Sequence, residues 1–292
     1  MLKAKEYQKI CDCQSGIKRF TKNSFSIYDC QICKHRFAKV DKDLHQHISE
    51  TYNDLYFYGG NDGYPDYLLD KEILINRGKY YSKILNKLIN TGKVLDIGSA
   101  SGFVLKGFTE MDWDGVGVEP NKSMAEYGRS ELNLNIHNTS FEEFESEEKF
   151  DLIIMIQVIG HFYDLHKVLN KSHQLLKDDG LILVESWDRD SRVARLFGES
   201  WHEYSPPSVL HWFSIKSIQS VFEQHGLKAI KFGRPLKNLS IKHASSLLEG
   251  KSKSRLLKNL YNILGNSILG KFTFLYAPLD LFWMIFNKKK YE

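Results

Sequence analysis

The 292-residue chain predicts an α/β fold built on a doubly wound parallel sheet. Three features carry that prediction. From Lys93 to Glu185 apolar runs of strand length alternate with helical spacings, the order that lays helices on both faces of a parallel sheet. The most apolar run, F-D-L-I-I-M-I-Q at Phe150–Gln157, reads as a central strand covered on both faces. Val94 and Leu95 lead through Asp96 into a turn of small residues, Gly98 to Gly102, and then into the helical pattern V-L-K-G-F. A strand, a glycine turn and a helix start form a cradle for an anion or nucleotide. Glycine lets the backbone approach the ligand, and free N–H groups at the helix start face it.

The length allows one large domain and a small one. An apolar fraction of 42% with 26% charged residues is ordinary for a soluble globular protein. The net charge of +4 is too mild for a nucleic-acid binder, and no Lys/Arg stripe interleaved with aromatics occurs. Aromatics at 13% suit a pocket for a flat or ring-shaped ligand. Charges and cysteines interrupt Met1–Phe20 where a signal peptide needs an apolar core, so the expected compartment is the reducing cytoplasm. Clustered cysteines there suggest a metal before disulfides.

Residues 1–50 hold all four cysteines: Cys11-x-Cys13, then sixteen residues, then Cys30-x-x-Cys33. The strand-like Ser24–Asp29 lies between the pairs. Two thiolate pairs a hairpin apart predict a zinc-ribbon-like module, since four sulfurs complete a tetrahedral site. The first pair is one residue shorter than a usual knuckle. His35, His45 and His47 are spare ligands, and buried free thiols are the alternative. Four protein ligands leave no open position, so such a zinc is structural.

Residues 51–92 are an aromatic linker and a leading helix. Tyr56, Tyr58, Tyr64 and Tyr67 are read either as a lid over a ligand or as packing for the linker. Asp70–Asn90 has helical spacing, and Gly92 follows as a stop. Gly115–Pro120 reads as a second buried strand, ending in Glu119. A carboxylate about twenty residues beyond the glycines suits the hydroxyls of a ribose. Ser123–Arg129 then reads as a helix and Leu134–His137 as a short strand, with Asn138–Phe141 as the loop behind it. After Phe150–Gln157 come the helix Leu165–Leu176, the turn K-D-D-G and the strand Leu181–Glu185. Ligands of such sheets sit at the carboxyl ends of the strands, where Asp96, Glu119, Ser140, Gln157 and His161 all fall.

The turn D-I-G-S-A-S-G resembles motif I of the class I S-adenosylmethionine (SAM) methyltransferases, D/E-x-G-x-G-x-G, with Ala100 at the middle glycine. F-D-L-I-I-M-I-Q-V-I-G-H-F-Y-D, K-D-D-G and the strand after it resemble the family's fourth- and fifth-strand motifs. The likeness is to the branch with a V-L-E-H motif, an N-terminal zinc-binding segment and an aromatic G-Y-x-D-Y linker, here Gly63–Tyr67. Ser191–Trp201 and Pro206–Ser214 are similar to its substrate-side segment. Two positions depart: Gly160 replaces the usual Glu, and Val209 stands where a histidine is common. The resemblance implies a mostly parallel seven-stranded Rossmann-like sheet whose last strand, Leu281–Asn287, is antiparallel.

It also implies roles. Gly98, Ser99, Ala100 and Gly102 would hold the methionine end of SAM, with Asp96 at its ammonium. Glu119 and Pro120 would meet the ribose, Thr139, Ser140 and Phe141 the adenine, and Gln157 would line the cofactor. His161 and His211 are candidate bases, because imidazole titrates in a suitable range. Tyr56, Tyr64, Arg195, Trp201 and Tyr204 are candidates for the acceptor, a small molecule such as a sugar or a lipid- or nucleotide-linked glycan precursor. An NAD-dependent oxidoreductase or epimerase is the competing enzyme reading, and a non-catalytic SAM-binding protein the other.

Toward the C-terminus, Ile215–His225 reads as a helix capped by Gly226, and Leu227–Phe232 as a strand. Residues 236–270 are basic with an apolar stripe at helical spacing, a helical insertion between the core segments 93–235 and 271–292. Phe272–Phe286 is strongly apolar and ends in Lys288–Lys290. It is too short to span a bilayer, and contact with a membrane surface is the alternative to a sheet strand.

Overall fold

The computed structural model describes residues 16–59, 66–235, 237–240, 267, 273–276 and 279–289. The chain divides into two units, residues 1–233 with 280–292, and residues 234–279. In the first unit the N-terminal strands are β1 (Gly16–Lys22), β2 (Phe25–Cys30) and β3 (Arg36–Ala38), followed by helices α1 (Leu44–Thr51), α2 (Asp54–Phe57) and α3 (Lys71–Leu85). The alternating core runs β4 (Lys93–Ile97), α4 (Phe103–Thr109), β5 (Asp114–Val118), α5 (Lys122–Leu132), β6 (Asn135–His137), β7 (Phe150–Ile156), α6 (Leu165–Leu175) and β8 (Leu176–Trp187). It continues with α7 (Arg192–Phe197), β9 (His211–Trp212), α8 (Ile215–Gln224) and β10 (Leu227–Gly233). The second unit contains the antiparallel pair β11 (Lys237–Ser240) and β12 (Thr273–Tyr276), and β13 (Leu281–Lys288) returns to the first.

Seven strands form one sheet in the order β10-β13-β8-β7-β4-β5-β6. β8, β7, β4, β5 and β6 are parallel, and β13 runs antiparallel between β10 and β8. The alternation along β7 explains the double winding. Leu152 and Ile154 join the buried cluster under α3, α4 and α5, while Ile153 and Met155 join the one under α6 and α8. The apolar side chains of Leu281–Phe286 are buried in this sheet, at 0–6% exposure. No helix among the described residues is long and apolar enough to cross a membrane.

α3 and α4 meet at two glycines. A Cβ on Gly107 would lie 2.1 Å from the Ile75 carbonyl oxygen, and one on Gly78 would lie 2.2 Å from that of Val104. Only bare backbones pack this closely, and the contact fixes α3 beside the Gly98–Gly102 turn.

Three differences from the sequence reading have local causes. K-D-D-G, read as a turn between the helix ending at Leu176 and the strand starting at Leu181, lies inside β8. Phe150 pairs with Leu176 but Leu152 with Leu181, so the exposed Lys177–Asp179 bulge out of the ladder. Residues 237–240, read as the start of the helical insertion, form β11, and its apolar stripe lies outside the described residues. The N-terminal strands do not stand alone: they form a four-stranded sheet β1-β2-β3-β9, in which Arg36 and Phe37 pair with Trp212 and His211. A two-residue strand has too short a period to be seen in sequence.

Candidate functional site

At the carboxyl ends of β4, β5 and β7 the chain opens into a cleft that shares Tyr67, Gly98, Ile156 and Gln157 as lining with a smaller cavity. The turn after β4 makes the floor. Gly98, Ala100 and Gly102 have φ of +69°, +48° and +78°, so every second residue is left-handed and the loop curls tightly. Ala100 takes this conformation at a cost of about 1–2 kcal/mol that the motif's usual glycine would not incur. Gly98 and Ser99 donate their N–H groups to the Val118 carbonyl at 2.8 and 3.1 Å, tying the turn to the end of β5. A Cβ on Gly98 would reach within 2.4 Å of Val158 Cγ2 and fill the mouth of the cradle.

Two acids stand at this rim. Glu119 is 4% exposed and accepts from the backbone N–H of Ala100 at 2.8 Å and of Asn121 at 2.7 Å. Burial pushes its carboxyl up to about 7, against the pull of those two N–H groups. Asp96, 3% exposed, is raised well above the usual range by burial and then by the nearby Glu119. Its Oδ2 and the hydroxyl of Ser99 are buried without a protein partner. Buried polar atoms are seldom left unpaired, and these two have hydrogen-bonding capacity to offer a ligand.

A network that the sequence reading missed lies behind the cradle. Glu185, fully buried at the end of β8, accepts from Arg77 Nη1 at 3.0 Å, from Gln157 Nε2 at 2.7 Å and from the Tyr81 hydroxyl. Burial and the Glu185 charge hold the Tyr81 phenol protonated as a donor. Gln157 sits at φ +57°, a left-handed non-glycine at a strand end, and Arg77 lines the smaller cavity beside Asp96. The rule of strand carboxyl ends would have flagged Glu185; Arg77, inside an amphipathic helix, carries no such signal.

The remaining predicted residues divide. Gly98, Ala100, Glu119, Pro120, Ser140, Phe141, Gln157, Tyr56 and His161 line the cleft, and Asp96 and Ser99 the smaller cavity. Gly102 caps α4, where a Cβ would meet Leu134 Cδ1 at 2.6 Å, and Thr139 is half-buried in the loop after β6. His161 gives Nδ1 to the Ser208 carbonyl at 2.7 Å. Burial lowers its imidazole to about 4, so it is neutral near pH 7 and a weak base. Tyr67 stacks on Phe103 at 5.6 Å while also lining the cleft, so it packs the linker onto the core and walls the cleft at once. Tyr64 lies outside the described residues.

Trp201 and Tyr204 are 1% and 4% exposed in the apolar cluster with Ile27, Ala38 and Trp212. Trp201 Nε1 donates to Asp280 at 3.3 Å, and Tyr204 accepts from Arg36 Nη1 at 2.7 Å. Both thus pack the N-terminal sheet onto the segment after β8, away from the cleft. Arg195 is exposed on α7. His211 is buried in the same seam, with Nδ1 3.2 Å from His35 Nε2 and Nε2 3.1 Å from the Phe162 carbonyl, and lines a third, smaller cavity that shares Gln157 and His161 with the cleft.

The end of β2 and the turn into β3 bring three side chains of metal-ligand type together. Ligand atoms of Cys30, Cys33 and His35 lie within 4.8 Å of one another, all buried. The Ile32 N–H points at Cys30 Sγ at 3.4 Å and Lys34 has φ +61°, a knuckle that curls the backbone around the sulfurs. Cys11 and Cys13 lie outside the described residues.

The sequence profile of a family described as "Methyltransferase domain" matches residues 73–231. The chain is 30% identical over 156 residues to the ubiquinone biosynthesis O-methyltransferase of Bradyrhizobium sp. (strain ORS 278), covering 46% of this chain and 61% of that protein. It thus spans about three-fifths of the length of this curated relative. Among solved structures it resembles the Burkholderia thailandensis 1,6-didemethyltoxoflavin-N1-methyltransferase, with TM-score 0.52 and 15% identity over 88% of this chain and 96% of that one. The YcgJ protein of Bacillus subtilis is similar at TM-score 0.53 and 16% identity, over 74% of this chain and all of that one. These structural likenesses concern the fold. With the profile matched over more than half of its length, and the strand order and motif I turn in agreement, the chain belongs to the class I SAM-dependent methyltransferase family.

Proposed function

We propose that the protein transfers a methyl group from SAM to an oxygen of a small, ring-shaped acceptor. The observation that carries this reading is the pair of unpartnered buried groups, Asp96 Oδ2 and Ser99 Oγ, beside Glu119 on one rim of a wide aromatic cleft. These residues fit the cofactor: Asp96 and Ser99 toward the methionine ammonium, Glu119 toward the ribose hydroxyls, Arg77 toward the methionine carboxylate. SAM supplies a methyl on a sulfonium, whose departure needs no acid. The protein's own part is to hold the acceptor in line, keep bulk water out and let the hydroxyl proton pass to a base or an ordered water as the C–O bond forms and SAH leaves. Tyr56, Tyr67 and Phe162 wall the cleft for that purpose. The curated relative is named an O-methyltransferase, which supports oxygen as the acceptor atom. A phenol and a sugar hydroxyl both fit such walls, with His161 a neutral hydrogen-bonding group for either. Calorimetry with S-adenosylhomocysteine (SAH), then turnover of SAM to SAH with phenolic and glycosyl acceptors, tests the reading. Binding with turnover is expected. Binding without turnover on any acceptor makes the protein a non-catalytic member of the family, and absence of binding removes the cofactor assignment.

We further propose a structural zinc held by Cys30 and Cys33, with His35 beside them and Cys11 or Cys13 completing the set. Three buried donors of this softness suit zinc. Elemental analysis should find about one zinc per chain, and chelation should lower the melting temperature by several degrees. A metal-free protein of unchanged stability would leave buried thiols as the answer.

A further inference from the structure

Helix α1 puts one polar side chain among apolar neighbours on its inner face. Leu44, His47 and Ile48 stand at i, i+3 and i+4 and line the cleft together. His47 is 1% exposed. Its Nδ1 lies 3.4 Å from the Thr51 hydroxyl, one turn further along the helix. Its Nε2 is buried and has no hydrogen-bond partner. Tyr52 stands edge-on to the ring at 5.7 Å and Tyr163 is tilted against it at 5.9 Å, so the imidazole cannot swing out to water without displacing them. A buried ring nitrogen without a partner, on a cavity wall, is a place reserved for a ligand atom.

The neighbours say which atom. Tyr163 gives its N–H to Glu142 at 3.1 Å, and Glu142 directly follows Phe141 in the loop after β6. Tyr52 offers its carbonyl to Asn121 Nδ2 at 3.0 Å, two residues past Glu119. His47 therefore stands over the stretch from Glu119 to Phe141. Asp96 and Arg77 mark the other end, in the smaller cavity. We propose that His47 Nε2 hydrogen-bonds the edge of the adenine base, so that a helix outside the matched methyltransferase segment completes the cofactor site. This rests on the SAM reading above. An exocyclic amino group facing a bare Nε2, or a ring nitrogen facing Nε2–H, satisfies the geometry.

The test measures SAH affinity of the full chain and of His47→Phe and His47→Gln, together with KM for SAM and kcat. Phenylalanine fills the space without a polar atom, whereas glutamine restores one. His47→Phe is expected to bind SAH about tenfold more weakly, the worth of one hydrogen bond, with the loss on KM for SAM rather than on kcat. His47→Gln should recover part of it. Equal SAH affinity in wild type and His47→Phe overturns the proposal, and so does a loss confined to kcat, which would place His47 at the acceptor. A wild-type chain that binds no SAH overturns the cofactor reading itself, and this proposal with it.

Discussion

Replacing Glu185 by alanine is expected to cost about 3–5 kcal/mol of folding stability, a large share of the ~5–15 kcal/mol that holds a domain folded. The reason is what stays behind. Arg77 is 11% exposed at its side chain and loses the carboxylate that neutralises it. The Tyr81 hydroxyl and Gln157 Nε2 lose their acceptor in the same interior. Glu185→Gln keeps an oxygen for one or two of these donors but removes the charge, and should cost less, about 1–3 kcal/mol. The effect also reaches the cofactor. Gln157 and Arg77 line the cavity that contains Asp96, so SAH affinity should fall together with stability. Urea unfolding and SAH calorimetry on the two variants check this. A Glu185→Ala protein within 1 kcal/mol of wild type would show that the ion pair is water-filled and of little consequence.

Glu119→Ala should weaken SAH binding about 10- to 100-fold, because hydrogen bonds to a charged group contribute about 1.5–3 kcal/mol. The same residue makes both stability and binding depend on pH. Its carboxyl titrates near 7 when folded, above the 4.5 of the free side chain. The folded state therefore holds the proton more tightly than the unfolded chain does. This contribution to stability is complete below pH 4.5, shrinks as pH rises, and is gone above about 7, a swing of about 3 kcal/mol. Asp96, raised by burial and by Glu119, acts in the same sense. Binding has the opposite slope. In the proposed ribose role, hydroxyls would donate to the ionised carboxylate, so SAH affinity should rise as pH passes through 7 and protons should be released on binding below it. Calorimetry at pH 6 and pH 8, with Glu119→Gln as the variant whose slope should be shallower, measures this. An affinity independent of pH in the wild type would contradict the ribose role.

The second pair of residues at this rim shows why a motif is only a beginning. Ala100 replaces a motif glycine yet keeps the left-handed φ of +48°, and Glu119, at the end of β5 on the same rim, accepts its N–H and holds the turn. His161 is placed at the wall as its position after β7 implies. Burial, against the pull of the Ser208 carbonyl that accepts from Nδ1, however, makes it a neutral hydrogen-bonding group where an exposed histidine would titrate near neutrality.

What the sequence determined by itself is local in origin. Hydrophobic period and glycine punctuation located β4, β5, β7 and the cradle between Asp96 and Gly102, and the apolar run at Leu281 located β13, because each signal lies within about ten consecutive residues. Tertiary structure alone decided which side chains face the cleft. Arg77 meets Glu185 across 108 positions, and His35 meets His211 across 176. Trp201 and Tyr204 have the composition of a binding wall but fill the seam under the N-terminal sheet, while His47, set in an unremarkable amphipathic helix, looks into the cleft. Periodicity along a chain reports which face of an element is apolar. It does not report what that face is laid against, and a polar group's role is set by the partner it finds or lacks there.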